Sequence, residues 1–200
     1  GRQKGAESYI TYPDFSARVS YYGIQGLTLG GSIYIGDSET EAYSGLDLSN
    51  ENSVASADST IIGINMIGVD ARYKKGATQI RGQYIVATLD NTNQYNSKTG
   101  KDLGSKIMGY YTEIGHNLLH NRDSEEELIA FVRYENYDTH AEVDSEMIRN
   151  DAYNRTEVTF GLGWKFAKGA MLKADYQMLS NESSPDEYTG QFNFGTAIWF

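Results

Sequence analysis

Eleven charged side chains fall at alternate positions of segments that are otherwise apolar or small. Arg18, Arg72, Lys74, Arg81, Arg133, Lys165 and Lys173 are basic, and Asp70, Glu113, Glu135 and Asp175 are acidic. Charges held at regular spacing on one surface do not make or break bonds; they bias which ions approach, and rings of Arg or Lys favour anions. Seven basic residues against four acidic ones therefore point to electrostatic attraction of small anions or other solutes along a wet, pore-lining wall. The plainer alternative is that the acids pair with the bases and stiffen that wall. Catalytic groupings are thin. Asp138-Thr-His140 with nearby Asp144 could form a hydrolytic group, but a general base must sit about 2.6–3.2 Å from the proton it takes, and no nucleophile is placed for it. These residues read as loop chemistry. His116 and His120 lack a third metal ligand and read as rim residues. Asp37, Glu39, Glu41, Asp47, Glu51 and Asp58 form an acidic stretch without Lys or Arg. Paired carboxylates can hold Ca²⁺, but the spacing of an EF-hand loop is absent, so a solvated loop is the expectation. The chain reads as non-enzymatic, with no catalytic residue, metal or cofactor.

The elements that would position the eleven charges have a period of two. Nine segments alternate: Phe15–Tyr22, Leu27–Ile35, Ile67–Lys74, Thr78–Ala87, Met108–Gly115, Leu128–Glu135, Val158–Phe166, Leu172–Met178 and Gln191–Phe200. Each approaches the roughly 9 to 11 residues that a tilted strand needs to cross a bilayer. One face of every segment is free of Asp, Glu, Lys and Arg, although those types make up 22% of the chain. Lipid supplies the reason, because an outward Arg or Lys near mid-bilayer costs about 2 to 4 kcal/mol. Tyr21, Tyr73, Tyr84, Tyr110, Tyr134, Trp164, Phe166, Tyr176 and Phe200 on these faces suit interfacial girdles. The fold class expected is all-β, a transmembrane antiparallel β-barrel in a bacterial cell outer membrane, with outer-membrane lipid as its surroundings.

Composition agrees and excludes other classes. Twenty-one Gly, two Pro and sixteen Tyr in 200 residues suit one β-rich region over 1–200 with many tight turns. No Cys is present, which removes disulfides and thiolate sites. A net charge of −10 argues against a nucleic-acid partner. No apolar run approaches the roughly 18 to 20 residues of a membrane helix, and no signal peptide opens the chain. A mean hydropathy of −0.52 would suggest a soluble protein, but barrels expose only alternate residues to lipid.

The connections alternate in length. Gly23 to Gly26, Lys75 to Gly76 and Ala167 to Ala170 are short, and Leu119 to Glu126 is intermediate. Asp37 to Asn65, Asp90 to Ser105, Asp138 to Arg155 and Leu179 to Tyr188 are long. Short periplasmic turns and long external loops produce this pattern in membrane barrels. Nine strands cannot stand as an open sheet in hydrocarbon, so strands upstream of Gly1 are expected to complete the barrel. A further strand around Glu7 to Tyr12 is a weaker alternative.

The terminal stretch Phe192-Asn-Phe-Gly-Thr-Ala-Ile-Trp-Phe200 resembles the C-terminal signature of bacterial outer-membrane proteins. That resemblance implies that Phe192, Phe194, Ile198 and Phe200 are read by the outer-membrane assembly machinery. Gly109-Tyr-Tyr-Thr-Glu-Ile-Gly-His-Asn-Leu118, Phe131-Val-Arg-Tyr-Glu-Asn-Tyr-Asp-Thr139 and Leu172-Lys-Ala-Asp-Tyr-Gln177 resemble consecutive strands of the phosphate-selective porin O and P family. The likeness is good over the second half of the chain and loose over the first, with Ala130 where that family often has Pro. It implies that this chain is the C-terminal part of a barrel of roughly sixteen strands, usually a homotrimer, passing anions or small solutes.

Three functional classes follow. The first is a passive diffusion channel with an anion preference. The second is a non-conducting barrel whose acidic loops bind a partner or brace the envelope. The third is a soluble β-sandwich or small ligand-binding barrel.

Overall fold

The computed structural model describes residues 13–38, 45–47, 49–122 and 125–199. Nine strands form one antiparallel sheet in strict chain order. They are β1 (Phe15–Ile24), β2 (Leu27–Ser38), β3 (Ile62–Lys75), β4 (Thr78–Asp90), β5 (Lys106–Asn117), β6 (Glu127–Glu142), β7 (Asn154–Ala167), β8 (Ala170–Asn181) and β9 (Ser184–Ile198). All nine alternating segments are strands, and most run past their alternating stretch because backbone pairing continues to the turn. The alternative strand at Glu7 to Tyr12, and Phe200 of the terminal signature, lie outside the described residues.

Register carries the alternation across the whole sheet. Leu27, Tyr73, Ile80, Ile114, Val132, Phe160, Tyr176 and Phe192 form one transverse row on one face. That face is the exposed one: Ile114 and Val132 are each 44% accessible and Phe160 47%, whereas Thr159 and Asp175 on the other face are 7%. Water would expel such a surface, and no second sheet covers it among the described residues. The sheet is a partial barrel with its apolar side outward. A cavity spanning β3 to β8 on the opposite side places the polar face within the curve.

The apolar band slants across the strands. Met178 of β8 is paired, through Val158, Tyr134, Thr112, Gly82 and Ala71, with Leu29 of β2. Above Met178 the outward face turns polar at Ser180, but on β2 it stays apolar up to Ile35. The band edge thus climbs six residues, from position 29 to 35, over the six strand steps from β2 to β8. One residue per strand, at about 3.3 Å rise and about 4.8 Å spacing, is a tilt of about 35°, the inclination of membrane barrels.

Two-residue turns join β1 to β2, β3 to β4 and β7 to β8, where Gly26, Gly76 and Gly169 take φ of 80°, 56° and 81°. The connection expected to be long between Leu179 and Tyr188 is instead a tight hairpin at Glu182-Ser183. Asn181 closes it, its carboxamide oxygen accepting from the Ser183 N–H at 3.0 Å and the Ser183 hydroxyl at 2.5 Å. Pro185 is tolerated because it lies at the start of β9. Asp138 to Arg155 is also shorter than expected, since β6 continues to Glu142 and only 143–153 remain as loop. The other two long connections hold short helices. α1 (Glu51–Asp58) is capped by Asn50, whose side chain accepts from the Ser53 N–H, and α2 (Thr92–Thr99) ends on Gly100 at φ 69°.

Candidate functional site

The inner wall is built by register. Arg72, Arg81, Glu113, Arg133 and Thr159 form one transverse row, and Asp70, Gln83, Tyr111, Glu135 and Glu157 form the next. Lys74, Gln79, Gly115, Phe131, Gly161 and Asp175 form a third, on the short-turn side. Charges pair within and between rows. Arg81 grips Glu113 with two parallel bonds, Nε to Oε1 at 2.9 Å and Nη2 to Oε2 at 3.0 Å. Arg18 meets Asp70 at 2.7 Å, Arg133 meets Glu135 at 2.5 Å, Lys173 meets Asp175 at 3.0 Å and Lys165 meets Glu127 at 2.5 Å. Aromatic rings take up cations as well: the Arg133 guanidinium lies 3.9 Å from the Tyr111 ring centre and Lys173 Nζ lies 4.8 Å from that of Phe131.

All eleven sequence-derived wall charges thus lie on one face, and the structure brings eight of them into four ion pairs. Lys165 finds a fifth carboxylate, Glu127, one residue before the alternating segment began. Arg72 and Lys74 make no side-chain hydrogen bond or ion pair among the described residues. The wall is therefore largely neutralised pairwise, with an uncommitted positive excess near the β3–β4 turn. Sequence reading also missed Glu157, which accepts from the Tyr137 hydroxyl at 3.2 Å. Extending the period-two pattern past Val158 would have found it. The inner side is not polar throughout. Near the long loops Ile62, Ala87 and Leu89 point inward and are buried to 4%, 6% and 9%. The β4–β5 ladder continues at this end, the Leu89 N–H donating to the Ser105 carbonyl at 2.8 Å.

At the long-loop end, polar side chains tie successive connections together. Asn91 donates to the carbonyls of Ser59 and Ile61 at 2.9 and 2.8 Å, joining the α2 segment to the α1 segment. Thr92 donates to Asp144 in the next loop. Arg149 reaches Asp138 at 3.0 Å, Asp151 at 2.8 Å and Glu182 of the last hairpin at 2.6 Å. His140 is a strut: its Nδ1 accepts from the Asn150 N–H at 3.3 Å, its Nε2 faces the Asp102 carbonyl, and its ring lies 4.4 Å from that of Tyr153. Tyr153 in turn donates to Asp102 at 2.7 Å. Asp138 and His140, read from the sequence as loop residues, sit instead at the end of β6 inside this web. Both ring nitrogens of His140 face backbone groups, and Asp144 is held by Thr92.

Electrostatics follows these contacts. Arg149, then Asn154, holds the Glu182 carboxyl below its ordinary range. The hydrogen bond to Asp102 pushes the Tyr153 hydroxyl up. The Ser49 hydroxyl and N–H lower the Asp47 carboxyl in the acidic loop. Glu39 and Glu41 of that loop lie outside the described residues. His116 bonds the Thr78 hydroxyl through Nδ1 at 2.8 Å on the outward face, and His120 lines the inner cavity, so the two are apart. Among the described residues no group of three or more His, Asp or Glu is placed to hold a metal ion.

No family model matches the chain. It is 29% identical over 176 residues to an uncharacterized protein of Aquifex aeolicus (strain VF5), covering 88% of this chain and 39% of that protein. Among solved structures it resembles in-vitro folded OmpT, an outer membrane protein of Vibrio cholerae in a trimer form, with TM-score 0.51 and 14% identity. That likeness covers 94% of this chain and 56% of the other, and speaks to the fold alone. The chain spans less than two thirds of the length of either relative.

Proposed function

We propose that this chain forms part of the wall of a water-filled outer-membrane channel for passive diffusion of small solutes, with a preference for anions. The observation that carries the reading is the two-sided sheet: a slanted, charge-free apolar band outside, and inside it a wall whose paired charges leave Arg72 and Lys74 uncommitted. Paired charges hold the wall rigid, and the positive remainder raises the local anion concentration by electrostatic focusing. No catalytic step belongs to this reading. Further strands close the sheet, since its two edges would otherwise leave backbone groups unpaired in lipid. Assembly as a trimer and recognition of the terminal aromatic strand by the assembly machinery belong to the same proposal. The likeness of three strands to the phosphate-selective porins makes phosphate the first anion to test.

Planar-bilayer recording of the full-length protein in a salt gradient tests it. Steady conductance with a reversal potential on the anion side is expected, shifting toward cations in R72Q/K74Q. A clear cation preference defeats the anion reading. Absence of conductance defeats the channel and favours a barrel that acts through its acidic loops.

A further inference from the structure

The inner cavity near the β3–β4 turn has the wrong lining for a simple ion. It measures about 450 Å³, the size of one small organic molecule. Its floor is apolar, made by Ile129, Phe131 and Met171, on a wall that is otherwise polar. The floor is uncovered because glycines stand beside it. Phe131 has Gly115 and Gly161 as its neighbours on the two adjoining strands, and Ile129 has Gly163. A Cβ at Gly163 would come within 2.2 Å of the Met171 methyl, and one at Gly115 within 3.3 Å of the Ile129 side chain. Side chains at these glycines would fill the depression.

Around the floor stand four cations, Lys74, Arg81, Lys165 and Lys173; the last three are paired with Glu113, Glu127 and Asp175, which leaves Lys74 as the rim cation without a carboxylate among the described residues. Lys173 marks the junction of charge and ring, its ammonium lying 4.8 Å from the Phe131 centre. A hydrated inorganic anion would meet the charge but gain nothing from the floor. A neutral sugar would meet few uncommitted polar groups. An anion with a flat apolar body satisfies both halves.

Resting on the channel reading above, we propose that this cavity is a subsite for aromatic carboxylates, the ring lying against the Ile129–Phe131 floor and the carboxylate drawn by Lys74 and by Lys173, which it shares with Asp175. Burying a ring that acetate lacks gives benzoate an advantage of about tenfold or more in affinity.

Two measurements on the full-length protein separate the claims. In planar bilayers, benzoate should depress the chloride current saturably at about one tenth of the acetate concentration that does so, and more effectively than inorganic phosphate. In detergent, saturation-transfer NMR should detect benzoate on the protein, weakened severalfold in F131A and in K74Q. The second variant alters an exposed side chain and guards against a folding failure in the first. Equal effects of benzoate and acetate, stronger action of phosphate, or NMR binding unchanged in both variants overturns the subsite. Benzoate binding that both variants weaken, in a protein without conductance, overturns the channel and leaves the subsite standing.

Discussion

On the inner wall, charges meet through strand register and stay in partial contact with water: Arg18 and Asp70 are 49% and 28% exposed, Arg81 and Glu113 36% and 14%. At the long-loop end, His140 and Asp138 are sealed to 2% and 6%, and their partners come from two connections, around Asp102 and around Arg149 and Asn150. The best buried among the described residues, Thr92, Ala57, Thr60 and His140 at 1% or 2%, all lie at that end. A barrel wall has water on one side and lipid on the other, so it offers its side chains no deep interior. The loop web is where this chain builds something like a globular core. Exposed pairs are worth little to stability, whereas buried hydrogen-bonded groups cost much when a partner is removed. The wall should therefore tolerate inward substitutions that change transport, while the web should fail structurally.

The largest expected effect lies on the wall's other side. Val69 is 50% exposed on the apolar face, and Val69→Arg should cost about 2 to 4 kcal/mol in folding into lipid vesicles. Gln83→Arg on the inner face, in the same strand pair, should cost far less. Equal losses would mean that the two faces do not differ in their surroundings. Next comes the web: His140→Ala removes the partner of the Asn150 N–H and of the Asp102 carbonyl and leaves a void at a side chain only 2% exposed, a penalty of about 2 kcal/mol. Loop amide exchange should rise around 143–153 with the strands unchanged, and a uniform rise along the chain would contradict a local web.

Acidity sharpens the contrast further. The folded Glu182 carboxyl lies below its unfolded value, so its contribution is present above the ordinary carboxylate range and is lost as pH falls through the folded value. Tyr153 is raised, so its contribution is full below the ordinary phenol range and is lost as pH rises through the folded value. The web should be tightest between these limits. Loop exchange, corrected for its intrinsic pH dependence, should rise at both extremes, and a flat profile would remove Glu182 and Tyr153 from the web. The smallest stability effect is expected for the double change R81Q/E113Q on the wall, about 1 kcal/mol or less. Its signature should be altered ion selectivity in bilayers; a large loss of folded protein with unchanged selectivity would reverse the assignment of the two regions.

Most of the wall was legible in the chain. Period two places side chains on alternate faces whatever the fold, so Arg81, Glu113 and Arg133 could be assigned to one surface from spacing alone. Their partners could not, because Arg18 meets Asp70 across 52 residues and only the hairpin register decides that. The tight turn at Glu182-Ser183 was hidden by the polar run around it, and reading it as a long loop removed the first residues of β9. Neither helix was foreseen, since Asn50 and Gly100 are weak local signals inside connections that otherwise read as solvated. The cavity floor was visible only as two glycines and a Phe on the polar side of their strands, a pattern without meaning until Gly161 and Phe131 were neighbours.

The sequence by itself determined the strands, the two faces and the absence of charge on one of them, because side-chain alternation and the cost of charge in lipid act residue by residue. Tertiary structure alone decided which charges pair, how steeply the apolar band climbs and which loops lock together. Each of those depends on register between segments tens of residues apart, and register is set by the sum of many weak contacts that no single segment contains.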